Sequence, residues 1–335
     1  GGDHMGAYII AEAGVNHNGR LDLAKELCLA AKNAGADCVK FQTWQTEKII
    51  TRSVAQADYQ ADNTGRAESQ FDMLKRLELS YDDFRAVKAY CDEIGIQFAS
   101  TADEADSLDF LLTLGIPFIK IGSGEIGNIP YLRYMGSKKK PVLLSTGMSS
   151  LADVELSLEA LRQGGVEDIT LLHCTTSYPC PYDRVNLRAM ETLRAAFGLP
   201  VGYSDHTEGI AIPTAAVALG AVVIEKHFTL DRHMEGPDHL ASTEPEAFRQ
   251  MVSAIRQVEA GLGSGCKAPS PEERAISEVV LKRIVAARPI PAGTILTAED
   301  LTVKRNDRGL SARYWDLVIG TPARRDYAAD DAIEL

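Results

Sequence analysis

Eight short, β-rich apolar runs, each followed by a longer stretch, recur along most of this chain and constrain its fold more than any other feature. The runs are Tyr8–Gly14, Cys38–Gln42, Gln97–Thr101, Phe118–Ser123, Val142–Gly147, Ile169–Thr175, Val201–Thr207 and Val222–Phe228. Between them, Leu21–Ala34, Tyr81–Ile94, Leu151–Gln163 and Ile210–Leu219 carry apolar residues at helical spacing. Strands alternating with helices predict a parallel sheet covered by crossover helices. Eight such units fit a closed (β/α)8 TIM barrel, which takes about 250 residues. No GxGxxG follows the first run, which argues against a dinucleotide-binding sheet.

The chain has 335 residues, so a barrel leaves a small remainder. Residues 1–6 are set aside, because Gly1–His4 read as an expression remnant before Met5. Residues 7–262 are assigned to the barrel. Gly, Ser and Pro crowd the stretch from Gly261 to Pro271, and residues 263–282 are taken as a linker. Residues 283–335 form a compact unit with turns at Pro289, Pro291 and Gly293. About fifty residues bury little core alone, so this unit is expected to lean on something else. One connection, roughly Thr43 to Ser80, is much longer than the others and polar. Long loops of this kind are usually functional.

A formal net charge of −12 excludes nucleic acid and anionic membrane as natural partners. No apolar run is long enough for a membrane helix. The six cysteines are scattered without a CxxC pair and suit a reduced, cytoplasmic enzyme.

Polar residues gather where the predicted strands end. Glu12 follows the first, Lys40 and Gln42 lie on the second, and Thr101 ends the third. Lys120, Ser123 and Glu125 follow the fourth, and Ser145 and Thr146 end the fifth. Thr175, Thr176 and Tyr178 follow the sixth, with Ser204, Asp205 and His206 on the seventh and Glu225, Lys226 and His227 on the eighth. Packing gives no reason for polar groups at one end of every strand, whereas barrel enzymes keep their sites there. Lys40 and Lys120 interrupt apolar sequence, and a buried ammonium needs a carboxylate or a bound anion. His206 and His227, ending consecutive strands, suit a divalent cation with open positions. Glu12 and Glu125 are candidates for proton transfer, or for pairing with the lysines. His173 reads as structural. His17 and His233 read as solvated loop residues, and His239 is brought near the site by Gly236-Pro-Asp238.

Several of these segments are those of a known family. They are Ala11-Glu-Ala-Gly-Val-Asn-His-Asn-Gly19, Val39-Lys-Phe-Gln-Thr43, Lys120-Ile-Gly-Ser-Gly-Glu125, Leu144-Ser-Thr-Gly-Met148, Tyr203-Ser-Asp-His-Thr207, Ile224-Glu-Lys-His-Phe-Thr229 and Gly236-Pro-Asp-His-Leu-Ala-Ser242. In them the chain resembles the bacterial sialic acid (nonulosonate) synthases, which make N-acetylneuraminate, legionaminate or pseudaminate. The resemblance implies a synthase that joins phosphoenolpyruvate, an N-acetylmannosamine-type sugar and water into N-acetylneuraminate and phosphate. Legionaminate from 2,4-diacetamido-2,4,6-trideoxymannose is the first alternative and pseudaminate the second.

It further implies phosphoenolpyruvate bound by Lys40, Thr101, Lys120, Ser123, Ser145, Thr176 and Ser204, with Glu12, Glu125, Lys40 and Lys120 as the catalytic group. The sugar is expected at Glu12, Gln42, Asn63, Tyr178, Asp238 and Arg305, and a divalent metal, manganese before magnesium or cobalt, at His206 and His227. The C-terminal unit is expected to be antifreeze-like (a SAF domain, or β-clip) and to cover the partner's barrel in a domain-swapped homodimer. Two departures stand out: Thr176 replaces an Asn of some members, and Asn306-Asp-Arg-Gly309 replaces the usual Pro-Gly-x-Gly, which makes Arg308 a substitute for Arg305. Two other classes fit less of the sequence: a Schiff-base aldolase acting through Lys120, and an ice- or sugar-binding protein resting on the C-terminal unit alone.

Overall fold

The computed structural model describes residues 6–51 and 68–335. Asn63 and the rest of residues 52–67 of the long connection lie outside the described residues.

Eight parallel strands close into a barrel in sequence order: β1 Tyr8–Gly14, β2 Cys38–Thr43, β3 Gln97–Ala102, β4 Ile119–Ile121, β5 Val142–Ser145, β6 Ile169–His173, β7 Val201–Asp205 and β8 Val223–His227. The last closes on the first through pairs such as Ile10 with Glu225 and Glu12 with His227. A helix follows every strand, beginning with Leu21–Asn33 after β1 and ending with Pro245–Leu262 after β8. The N-caps explain several starts: the side chains of Ser80, Glu104, Asn128 and Ser150 each accept a backbone N–H of the helix they precede.

The first expected strand matches, the second and third stop one residue short, and the last five overrun the observed strands, chiefly at their carboxyl ends. Val142–Gly147 shrinks to Val142–Ser145, and Phe118–Ser123 to Ile119–Ile121. Their last residues leave the ladder and turn into the barrel mouth. The long connection is not bare loop: Thr46–Ile49 and Gln70–Leu77 are helical.

Alternation along the strands produces two cores. One side packs on the helices, with Ile9, Ala11, Val39, Phe41, Phe98, Ile119, Leu144, Leu171, Tyr203 and Ile224 in the main cluster. The other side fills the lower barrel with Ile10, Cys38, Ala99, Phe118, Leu143, Leu172 and Val223. Two residues further along each strand, the same inward face carries Glu12, Lys40, Thr101, Lys120, Ser145, Ser204 and Glu225. The apolar plug thus forms a floor and the polar groups lie above it. The helices Ile129–Ser137 and Leu151–Gly164 meet without side chains between them: a Cβ on Gly136 would strike the Leu161 carbonyl, and one on Gly164 the Arg133 carbonyl.

The chain divides into two compact units, residues 1–263 and 264–335. Within the second, the expected linker carries a helix, Pro271–Val280, capped by Ser270 with Pro271 in its first turn. The Ser and Pro that suggested a linker are that helix's start signals. The remainder is built on an antiparallel pair, β9 Lys282–Ala286 and β10 Leu301–Arg305. Its core is Ile284, Ala286, Ile290, Leu296, Leu301, Val318, Ala323, Tyr327 and Ile333. Arg305 ends β10, exposed, and Arg308 follows in an exposed turn. All six cysteines are free.

Candidate active site

The inward-facing ends of the barrel strands converge on one cavity. It is lined by Glu12, Lys40, Gln42, Thr101, Asp103, Lys120, Gly122, Ser123, Gly124, Ser145, Met148, Cys174, Thr176, Tyr178, Ser204, His206, Glu225 and His227. Of the residues expected at a site, Glu125 and Asp238 are not in the lining. Glu125 stands beside it on the 3-10 turn Ser123–Glu125, and Asp238 caps a short turn after β8. Asn63 is outside the described residues, and Arg305 belongs to the second unit.

Directly above the apolar floor lies a buried charge network. Lys40 pairs with Glu12 and lies 3.5 Å from Glu225, while Lys120 lies 3.4 Å from the other oxygen of Glu225. Lys40 also donates to Thr101 Oγ1 at 2.9 Å, and Ser204 donates to Glu225 at 3.0 Å. All four charged groups are at most 6% exposed. Burial alone would raise the Glu225 pKa, but Lys120 and Lys40 outweigh it and hold this carboxyl far below its ordinary range. At Glu12 burial wins over Lys40 and the pKa rises to about 7. Glu12 can therefore carry or release a proton near neutral pH. Glu12 Oε1, buried, has neither a hydrogen bond nor an ion pair, so polar capacity is left over for a ligand.

On the next arc, Ser123 and Thr176 approach each other across Gly147. Ser123 accepts the Gly147 N–H at 2.9 Å, and a Cβ at Gly147 would lie 2.5 Å from Thr176 Oγ1 and 2.7 Å from Ser123 Oγ. Only glycine keeps both hydroxyls at this spacing. A cluster of hydroxyls and two ammonium groups above an apolar floor suits an anion bearing phosphate and carboxylate.

β7 and β8 pair up to Asp205 with Lys226, which brings the following residue of each, His206 and His227, side by side with ring centroids 5.4 Å apart. Below them Lys226 donates to Asp205 at 2.5 Å, and Tyr203 and Thr207 donate to the same carboxylate, bolting the two strand ends together. Burial lowers both imidazole pKa values, that of His227 to about 3, so both rings are neutral. His206 Nδ1 donates to the Thr175 carbonyl at 2.8 Å, which leaves the Nε2 lone pair free. Neutral rings with a free lone pair fit a divalent cation. Among the described residues no group of three or more His, Cys, Asp or Glu side chains is placed to hold a metal ion. The Tyr178 ring packs on His206 at 4.4 Å and edges His227 at 6.0 Å.

Other histidines take structural places. His173 bonds the Val185 carbonyl at 2.7 Å. His17, expected to be solvated, is wholly buried: Nδ1 accepts the Gly19 N–H, and burial lowers its pKa to about 3. His239 is also buried, tied to Thr229 and Asn18, and anchors the loop that carries Asp238. Burial raises the Asp238 pKa to about 6.

Sequence reasoning assigned no role to Glu225, although it named it as a strand-end residue. It missed Asp103 altogether, because that residue stands one position beyond β3.

Comparison with known proteins agrees with this architecture. Residues 27–267 match the NeuB family, and residues 283–334 match the SAF domain. The N,N'-diacetyllegionaminic acid synthase of Legionella pneumophila is 46% identical over 324 residues, 96% of this chain and 91% of its own length. The Campylobacter jejuni protein of the same name is 45% identical over 97% of this chain and 98% of its own. Among solved structures, the N-acetylneuraminic acid synthetase of Leptospira borgpetersenii, in complex with citrate, superposes with a TM-score of 0.72 at 33% identity, covering 82% of this chain and 90% of that one.

Proposed function

This chain belongs to the NeuB family of synthases, and from that premise we propose that it condenses phosphoenolpyruvate with 2,4-diacetamido-2,4,6-trideoxymannose to give diacetyllegionaminate and phosphate. Sequence alone favoured N-acetylmannosamine as acceptor. The names of the relatives at 46% and 45% identity move the preference to the diacetamido sugar.

The observation that carries the condensation is the pairing of two environments in one cavity: Lys40 and Lys120 among hydroxyls, and the neutral His206 and His227 beside them. Lys40, Lys120, Thr101, Ser123, Ser145, Thr176 and Ser204 hold the phosphate and carboxylate of phosphoenolpyruvate. His206 and His227 would hold a divalent ion, manganese by preference, which supplies polarisation of the aldehyde carbonyl. C3 of phosphoenolpyruvate forms a bond to the aldehyde carbon, and the aldehyde oxygen takes a proton. Water adds at C2 and gives up one proton, then the C2–O bond to phosphate breaks with its electron pair leaving on phosphate, which takes the second proton as C2 becomes the ketone. Glu12 and Glu125, whose pKa values burial raises, are suited to move these protons. Gln42, Tyr178 and Asp238 line or flank the space left for the sugar. The protein otherwise aligns the reactants and screens charge, because phosphoenolpyruvate brings its own driving force.

The reading includes a cytoplasmic homodimer in which the SAF unit of one subunit brings Arg305 to the other's barrel. No helix among the described residues is long and apolar enough to cross a membrane. Phosphate release measured with phosphoenolpyruvate, manganese and each acceptor in turn tests the proposal. Turnover with the diacetamido sugar at least about tenfold above N-acetylmannosamine supports it, a margin of 1.4 kcal/mol. The reverse ranking restores neuraminate, and no release with either sinks the condensation.

A further inference from the structure

Asp103 is the cavity residue whose chemistry the reaction above leaves unused. Its neighbours are committed elsewhere. Glu104 caps the helix Ala105–Thr113 by accepting the Ser107 N–H at 2.7 Å, and also accepts the Gln45 N–H at 3.1 Å. Asp106 pairs with Lys48. The backbone of Asp103 is pinned on both sides: its N–H donates to the Thr43 carbonyl at 3.1 Å, and Tyr131 donates to the Ala102 carbonyl at 2.6 Å. Yet its carboxylate lines the cavity with no hydrogen bond or ion pair among the described residues. A polar group fixed so firmly and left unpaired is suited to a ligand.

Charge decides which ligand. The cluster of ammonium and hydroxyl groups suits the anionic substrate, whereas Asp103 and the nearby Glu125 line the adjoining rim with carboxyl groups. A second carboxylate there would repel phosphoenolpyruvate. A neutral sugar offers only hydroxyl and amide N–H donors on its far end, and these bond well to a carboxylate. Position agrees: β3 stands four strands from β7 around the ring. An acceptor whose aldehyde lies by His206 and His227 therefore extends across the mouth towards Asp103. Burial, reinforced by Glu125 and Glu104, raises the Asp103 pKa to about 7, and Lys40 is too weakly coupled to offset them.

We propose that Asp103 recognises the acceptor, its carboxylate taking a hydrogen bond from a hydroxyl or amide N–H at the end of the amino-sugar remote from the aldehyde. This rests on reading the site as a phosphoenolpyruvate–sugar synthase. The test uses the full-length protein with manganese and with inorganic phosphate filling the anion site. Titration calorimetry measures binding of the diacetamido sugar and of N-acetylmannosamine to wild type, Asp103→Asn and Asp103→Ala. Steady-state KM values for both substrates are taken in parallel. The expected result is acceptor affinity weakened at least about tenfold in Asp103→Ala and less in Asp103→Asn, with phosphoenolpyruvate KM within about twofold of wild type, as the loss of a hydrogen bond to a charged group predicts. Unchanged acceptor affinity, or equal loss for both substrates, overturns the inference. So does a wild-type protein that binds neither sugar. Wild-type phosphate release reports on the reaction separately: release with normal sugar binding by the variants removes Asp103 from the site while leaving the synthase reading intact.

Discussion

Lys40 and Lys120 share one buried counter-ion, approaching Oε2 and Oε1 of Glu225 at 3.5 and 3.4 Å. With Glu12 also against Lys40, two cations face two carboxylates, and the network is neutral when Glu12 is ionised. An incoming anion bearing phosphate and carboxylate must therefore be accommodated by redistributing charge already in place, with Glu12 the carboxyl readiest to take up a proton.

Removing that counter-ion should separate stability from binding. Glu225→Gln leaves two buried ammonium groups with one carboxylate, and breaking a buried pair costs about 3–5 kcal/mol. Added phosphate or phosphoenolpyruvate should raise the variant's melting temperature more than wild type's. Equal shifts would show that Glu225 is not what faces the anion site. Lys40→Met and Lys120→Met should each raise phosphoenolpyruvate KM by about one to two decades while acceptor KM stays near wild type.

The histidine pair can be tested without turnover. Equilibrium dialysis should find about one manganese per chain in wild type, and none in the His206→Ala, His227→Ala double variant. Chelator should abolish phosphate release and manganese restore it. A double variant that still binds the ion would move the metal elsewhere.

Stability should fall on acidification, and His17 should account for part of it. Burial depresses its folded pKa to about 3, whereas the unfolded chain titrates near 6.5. A folded pKa below the unfolded value gives full stability above about 6.5, lost as the unfolded state gains protons below it. By pH 5 the loss is about 2 kcal/mol from this residue alone. Denaturant midpoints of wild type and His17→Phe at pH 7 and pH 5 measure it: the variant should show the smaller drop. Parallel drops would mean that His17 does not contribute.

If the SAF unit serves the other subunit, inactive partners should rescue each other. His206→Ala carries its lesion in the barrel and Arg305→Ala in the C-terminal unit. Mixed dimers then assemble one site with both lesions and one with neither, and activity reappears on subunit exchange. A mixture that stays inactive assigns the unit to its own barrel, and Arg308→Ala run alongside covers the neighbouring arginine.

The barrel was legible because its signal is repeated: eight apolar runs, each followed by room for a helix, leave few other folds. Strand ends were not, since Gly147 and Thr175 continue the local pattern while the ladder stops where the neighbouring strand stops. The inward ring of Glu12, Lys40, Lys120 and the two histidines could be read from polar residues breaking apolar runs. His17 and Asp103 could not. Nothing local reveals that a histidine in a Val-Asn-His-Asn-Gly turn is sealed under the β8 loop. Likewise nothing local reveals which of Asp103, Glu104 and Asp106 caps a helix and which is left for the cavity. The helix Pro271–Val280 was hidden by its own start signals, which are also those of a linker.

The contact of Gly136 with the helix carrying Gly164 has a consequence for anyone who would redesign the acceptor. Backbone rests on backbone there, so neither position accepts even a methyl group, and the strands carrying Lys120 and Ser145 keep a fixed separation. Libraries that randomise this arc will return mostly unfolded chains. Diversity meant for new sugars is better spent on the cavity side chains Gln42 and Asp103, which leaves the phosphoenolpyruvate cradle whole.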